Sequence, residues 1–535
     1  MASDDGSQPE NWTWRERAAG SVPRGRTLDP TIEPIEGIQA YPTVYKPVEL
    51  IDSSHRSSRE QNLRELQGAA RELGWRVEVT DLEGRALRDP GAEPDELLPG
   101  VPGTRLLRVV ADDSLGDGAM PFAPDAWRLL QRARARSKSN LEGIGLNHVL
   151  AIHPVGVNPF ASSNPFIPTN PFIPTNPFIP TNPAGSAEYA YPGSGGRQPV
   201  ARLGAGPVRV AKPGRGQRRP VVAILDTGCG VHEWLPEDIV TRQLTIDGAP
   251  IGLTDDADPE KYGDLYGQLD GAIDPIPGHG TFIAGIVRQL APEADLVSVR
   301  LADAQGVVDE SMLIRTLGEV IELARRHAAG ESGGQPIDVL NLSFGYYHET
   351  PDDGLFSLTV YHLLRFARGL GIAVVCSAGN DAIDRPAFPA SLWPWPGADN
   401  GIPHDDDAEH VSVGALNPGE TSVALYSNVG PWVRAYAPGT SVVSSIPRFE
   451  GGRQASTRED LYDRRRQTIA PEDFRGAFAT WSGTSFAAPY VAGAIAAELG
   501  LISVNRAVRA GAVQRSRKAT EAALTEIAKS DGSRI

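Results

Sequence analysis

Three polar side chains stand far apart in this chain, each in a cramped, glycine-flanked setting. Asp226 lies in Leu225-Asp-Thr-Gly228, His279 in Pro277-Gly-His-Gly-Thr281, and Ser485 in Ser482-Gly-Thr-Ser-Phe-Ala-Ala-Pro489. Asn380 closes a fourth stretch, Cys376-Ser-Ala-Gly-Asn380. Taken singly, each has a plain reading: a carboxylate held by turn amides, a structural histidine, a capping asparagine, a turn before a buried helix. Taken together they fill the roles of nucleophilic acyl transfer. Ser485 attacks, and His279 takes its proton and later gives it to the leaving amine. Asp226 holds the imidazole tautomer, while Asn380 and the Ser485 backbone N–H receive the oxyanion.

Such a set needs rigid supports. Val221-Val-Ala-Ile-Leu225 is a wholly apolar run, the mark of a strand buried on both faces. Similar runs occur at 295–299, 338–343, 372–377 and 410–414, with helix patterns at 311–328 and 358–369. This alternation predicts an α/β fold with a doubly wound parallel sheet, whose chemistry gathers at the carboxyl ends of the strands. Ser485 is expected at the mouth of a helix, where unpaired N–H groups and the positive dipole end face whatever it attacks. Pro489 reads as part of that helix's first turn, where its missing N–H costs little. Ala487, Ala488, Ala492, Gly493 and Ala496 suit close packing.

The order Asp…His…Ser, with Leu-Asp-Thr-Gly, Gly-His-Gly-Thr and Gly-Thr-Ser-Phe-Ala-Ala-Pro, resembles the subtilisin family of serine proteases over roughly residues 219–500. The resemblance implies a serine endopeptidase acting on a protein or peptide. It makes Leu342, Ser343, Phe344 and Gly345 a substrate-binding strand, and Ser377, Ala378 and Gly379 the opposite wall of the P1 pocket. Ala387 would lie near that pocket's floor, leaving room for a large apolar P1 side chain. His232 matches a position that is usually structural. The family often binds calcium, and Asp255, Asp256, Asp258, Asp264, Asp270 and Asp274 crowd the loop before His279. No EF-hand spacing is present, and a solvated acidic loop is the favoured reading. The chemistry itself calls for no metal and no organic cofactor. Residues 448–478 read as an insertion forming a surface excursion.

The 535 residues exceed one ordinary domain. A formal charge of −16 argues against a nucleic-acid surface and against anionic membranes. Cys229 and Cys376 are too few for a disulfide scaffold or a structural zinc site and read as buried fillers. Neither a secretory leader nor a long apolar run is seen, so a cytoplasmic protein is the expectation. Residues 1–40 are expected to be poorly ordered. Residues 41–152 read as a small α+β unit, with a helix at 59–73, strands at 75–80, 105–110 and 147–152, and a helix at 124–134. By the resemblance this unit would be pro-segment-like or regulatory, covering the cleft; recruitment of substrate is the rival reading. Residues 153–218 read as a linker. They contain Asn-Pro-Phe-Ile-Pro-Thr three times over, whose prolines favour an extended polyproline II spacer or a docking strip for a partner. The catalytic unit is placed at 219–510, and 511–535 as a tail with a short helix. Self-processing within the linker, a binding scaffold that displays the repeat, and an acyl transferase or peptide ligase on the same residues are further readings.

Overall fold

The computed structural model describes residues 8–19, 24–36, 38–87, 94, 96–112, 122–152, 189–190, 193–201, 203–267, 269–350, 358–398, 401–452, 455, 457–459, 462–503 and 511–530. The hexapeptide repeat lies outside them.

The N-terminal part is built from β1 (Val44–Asp52), α1 (Arg56–Glu72), β2 (Trp75–Thr80), β3 (Arg105–Ala111), α2 (Ala126–Ser137) and β4 (Ile144–Ala151). β1 pairs antiparallel with both β3 and β4, and β2 with β3. Trp75 and Trp127 are buried between this sheet and its helices. Asp125 caps α2 by accepting from the Arg128 N–H. β1 escapes the sequence pattern because Pro47 interrupts it and its first half is only partly buried. Ahead of it, a short helix at Trp14–Ala19 sits where disorder is expected. Its Arg17 is buried, with Nη1 2.6 Å from Asp264 Oδ1.

The larger part contains β5 (Val221–Asp226), β6 (Val240–Thr241), α3 (His279–Leu290), β7 (Asp295–Arg300), β8 (Val307–Asp309), α4 (Glu310–Ala329), β9 (Val339–Leu342), α5 (Leu358–Gly369), β10 (Ala373–Ser377), β11 (His410–Leu416), β12 (Ala435–Pro438), β13 (Val442–Ser445), β14 (Phe478–Trp481), α6 (Thr484–Leu499) and α7 (Ala512–Ser530). Seven strands form one sheet in the order β12-β11-β10-β9-β5-β7-β6, every pair parallel. From β5 the chain builds outward first to β7 on one side and then to β9 on the other. The carboxyl end of β5 is therefore the topological switch point, where ligands of open α/β sheets bind. Asp226 is its last residue.

Helix α6 runs through the interior with small residues on most sides. At Gly493 a Cβ would come 2.9 Å from Leu290 Cβ, so α3 and α6 approach as closely as glycine allows. The segment after 511 is a 19-residue helix rather than a tail with a short one. Ala519, Ala523 and Ile527 recur every four residues and bury that face in the core beside α6.

Residues 193–218, read from sequence as linker, also lie on this body. Gln198–Pro199 pairs with β14, and Gln217–Arg218 with Ile502–Ser503. The Arg197 guanidinium donates to the carbonyls of Ile273, Asp274, Pro275 and Pro277 and stacks over Trp481 at 5.0 Å.

Candidate active site

Asp226 and His279 are brought together by the packing of α3 over the end of β5. Both are completely buried, and His279 Nδ1 lies 2.7 Å from Asp226 Oδ1. The same carboxylate oxygen accepts from Thr227 N at 2.8 Å and Thr227 Oγ1 at 3.1 Å. A bond to Asp226 at Nδ1 leaves Nε2 as the imidazole's reactive nitrogen, and Nε2 is buried without a hydrogen-bond partner. The ring is fixed edge-on to Trp481 and tilted against Phe486, with centroids 5.7 and 5.1 Å away. Those two aromatics flank the turn that carries Ser485.

Ser485 is the second residue of α6. Pro489 stands one turn further on, so it is not in the first turn, and its missing N–H has a consequence. In a regular helix that N–H would bond the carbonyl four residues earlier, which here belongs to Ser485. Ser343 Oγ donates to this orphaned carbonyl at 3.1 Å. In return Ser485 Oγ donates to the Ser343 carbonyl at 3.2 Å. The hydroxyl thus rests on the residue that follows β9.

Asn380 Oδ1 accepts from both Thr484 N and Thr484 Oγ1 at 2.9 Å. This holds the carboxamide beside the Ser485 turn and makes Nδ2 its donor end. Gly379 has φ +102, and its N–H bonds Thr484 Oγ1. A Cβ there would meet Asn428 Nδ2 at 2.5 Å, so the wall at 377–379 needs glycine twice over. Leu342, Ser343, Phe344 and Ala378 are buried. Gly345, Ser377, Gly379 and Ala387 line one small recess together with Tyr346 and Tyr347. The two tyrosines carry no motif that would have singled them out.

A strand of the same chain occupies the edge of this groove. Ala151 exchanges two backbone hydrogen bonds of 3.1 Å with Gly345, and Ile152 N donates to the Gly306 carbonyl at 2.8 Å. On its other side β4 pairs antiparallel with β8. Next to it, His148 reaches into the larger body. Its Nδ1 is 2.6 Å from Glu310 Oε2 and its Nε2 2.7 Å from Glu349 Oε2, all of them buried. With a carboxylate on each ring nitrogen the imidazole is protonated. His148, His348 and Glu349 are also the one group among the described residues close enough to hold a metal ion. Their donor atoms are engaged in hydrogen bonds, His348 Nδ1 accepting from Thr350 N.

Five carboxylates of the acidic loop have protein partners. Asp255 pairs with Arg300, Asp264 with Arg17, and Asp274 accepts from the N–H groups of Leu265 and Tyr266. Asp258 and Asp270 cap local turns. His232 bonds the Ala477 carbonyl and the Trp234 N–H. Burial raises the thiol pKa of both cysteines, that of Cys229 to about 12. Sequence reasoning passed over Glu260, one carboxylate among many in its loop, which proves to be buried behind Asp226.

The model of the subtilase family, Peptidase S8, matches residues 217–507, more than half of the chain. The chain belongs to the subtilase family. It is similar to an intracellular serine protease of Paenibacillus polymyxa, 28% identical over 286 residues, which are 51% of this chain and 65% of that protein. It is also similar to subtilisin-like protease 5 of Arthroderma gypseum, 29% identical over 224 residues, 41% of this chain and 42% of that protein. This subtilase therefore spans less than two thirds of the length of either relative. Among solved structures, fervidolysin from Fervidobacterium pennivorans, a keratinolytic enzyme related to subtilisin, aligns at 17% identity and TM-score 0.43, over 87% of this chain and 55% of that one. Among the described residues no helix is long and apolar enough to cross a membrane.

Proposed function

We propose that this subtilase is a serine endopeptidase restrained by its own N-terminal region. The observation that carries the reading is the buried 2.7 Å Asp226–His279 bond at the sheet's switch point, beside the helix mouth that holds Ser485. Ser485 turns from the Ser343 carbonyl toward His279 Nε2 as substrate enters, and apo hydroxyls commonly sit out of line before that. Its Oγ attacks the peptide carbonyl while Nε2 takes the proton. Asp226 stabilises the resulting imidazolium, and Asn380 Nδ2 with the Ser485 N–H receives the oxyanion. His279 returns the proton to the leaving amine, and water then cleaves the acyl-enzyme by the same relay. Every step is assigned to protein groups and none to a metal or organic cofactor.

Residues 342–345 and 377–379 would hold the substrate backbone, and the recess ending at Ala387 would take a large apolar P1 side chain. A peptide-library profile dominated by Asp, Glu or Gly at P1 would rule that out. Ala151 and Ile152 already make backbone bonds of the kind an extended substrate needs, so β4 competes with substrate for Gly345. The repeat gives this unit reach, or a place for cleavage.

The deciding experiment is labelling with a fluorophosphonate. Wild type is expected to react at Ser485 and to hydrolyse peptides, and Ser485→Ala to do neither. The loss known for subtilisin, a member of this family, is roughly 10⁶-fold in kcat and is borrowed here. A wild type that neither labels nor cleaves, even with the N-terminal contact loosened by His148→Asn, ends the reading.

A further inference from the structure

Behind the Asp226–His279 pair lies a second carboxyl group that the proposed mechanism does not use. Glu260 is buried, and both of its oxygens are turned toward α3. Oε1 accepts from the Gly280 N–H at 2.9 Å and contacts Thr227 Oγ1 closely. Oε2 takes the Thr281 N–H at 3.3 Å and the Thr281 hydroxyl. Gly280 and Thr281 follow His279 directly, and Gly278, the N-cap of α3, has no side chain to cap it. Glu260 therefore supplies from a distant loop the acceptors that a capping residue would give.

Thr227 ties this carboxyl to the reactive pair. Its hydroxyl has one proton and faces two carboxyl oxygens, Asp226 Oδ1 at 3.1 Å and Glu260 Oε1. Its oxygen already accepts from the Gly280 N–H at 2.9 Å. The proton can satisfy only one carboxylate at a time. When Glu260 is ionised, the hydroxyl donates to it, and Asp226 Oδ1 keeps only the Thr227 N–H and His279. When Glu260 is protonated, its own O–H donates to Thr227 Oγ1, and the Thr227 proton swings to Asp226. A third donor on Oδ1 drains charge from the His279 bond, and a buried negative charge disappears as well. Both changes make His279 a weaker base.

We infer that Glu260 is a positioning residue for the Asp226–His279 pair, holding the first turn of α3 and setting the basicity of His279 through the Thr227 hydroxyl. The inference deepens the peptidase reading and rests on it. Burial pushes the Glu260 pKa up to about 7 against the pull of the two threonine hydroxyls, so the switch falls in the neutral range. Around it stand Asp258 on its own loop, Asp226 and Cys229. Arg300 on β7 is turned away to Asp255.

The test is Glu260→Gln in the full chain, with two readouts. The His279 Nδ1 proton, bonded to Asp226, gives a far-downfield resonance whose pH dependence reports the imidazole directly, whether or not the chain is active. Glu260→Gln is expected to lower the His279 midpoint by about half a pH unit or more. The acid limb of kcat/KM should move the same way, with kcat down about tenfold and KM within twofold. Thr227→Ser, which keeps the hydroxyl, should titrate like wild type. In Thr227→Val the effect of Glu260→Gln should shrink by at least half. An unmoved His279 midpoint in a folded Glu260→Gln protein overturns the inference, and so does an equal shift with and without the hydroxyl. Absence of hydrolysis both in wild type and in His148→Asn would instead sink the peptidase reading while the resonance still judged this one.

Discussion

Ser343 and Ser485 show how one residue's covalent limits fall on another. Pro489 cannot donate to the Ser485 carbonyl, and Ser343 does so instead. Ser343→Ala should therefore destabilise the protein by about 1–2 kcal/mol, the cost of leaving a buried carbonyl unpaired. In a Pro489→Ala background, where a helical N–H is restored, the same change should cost less. Denaturant unfolding of the four proteins in this cycle measures the coupling, and equal costs in both backgrounds would refute it. Asn380→Ala, by contrast, belongs to the chemistry. A fall of roughly 10²–10³-fold in kcat with little change in KM is expected, by analogy with the oxyanion donor of subtilisin. A change confined to KM would assign Asn380 to substrate binding.

At the scale of elements, the join between β4 and the larger body carries the regulation proposed here, and His148 is its most polar point. Burial alone would lower the pKa of this imidazole. Glu349 and then Glu310 more than reverse that, lifting it from 6.5 to about 9. A group raised on docking contributes fully below its ordinary pKa, and its contribution is lost as pH rises through the docked value. The contact should thus be strongest below about pH 6.5 and weaken as pH rises from there through about 9. Amide exchange over residues 144–152, corrected for the intrinsic rate, should show protection falling across that range in wild type. The pH dependence should vanish in His148→Gln. Protection unchanged from pH 7 to 10 in wild type would show that the imidazolium does not hold the strand.

For the molecule as a whole, the residues between the repeat and β5 belong to the structure of the larger body. Arg197 binds the loop leading to His279, while Gln198–Pro199 extends the sheet of β14, which leads to Ser485. Arg197→Ala in the full chain is expected to cost about 2 kcal/mol, from lost hydrogen bonds and the cation–π contact with Trp481. A fragment beginning at 219 should accordingly be less stable than one beginning at 189. Equal denaturation midpoints for the two would mean that this segment is only a tether.

Much of this was legible before any coordinates. The apolar run before Asp226, the glycines around His279 and the small residues after Ser485 are local signatures, because strand burial, close backbone approach and helix packing each constrain residue type at fixed spacing. The parallel sheet followed from strands alternating with helices. What the chain order could not reveal were partners set by distance in space. Glu260 looks like any acid in an acidic loop until α3 lays its bare N-terminus against it. His148 looks like any strand residue until Glu310 and Glu349 close on its two nitrogens, and Arg197 looks like linker until four carbonyls converge on it. One-dimensional order determined the chemical groups and the supports they ride on. Three-dimensional packing alone decided which buried charges meet, since burial makes a charge depend on whichever donor or acceptor the fold brings within about 3 Å.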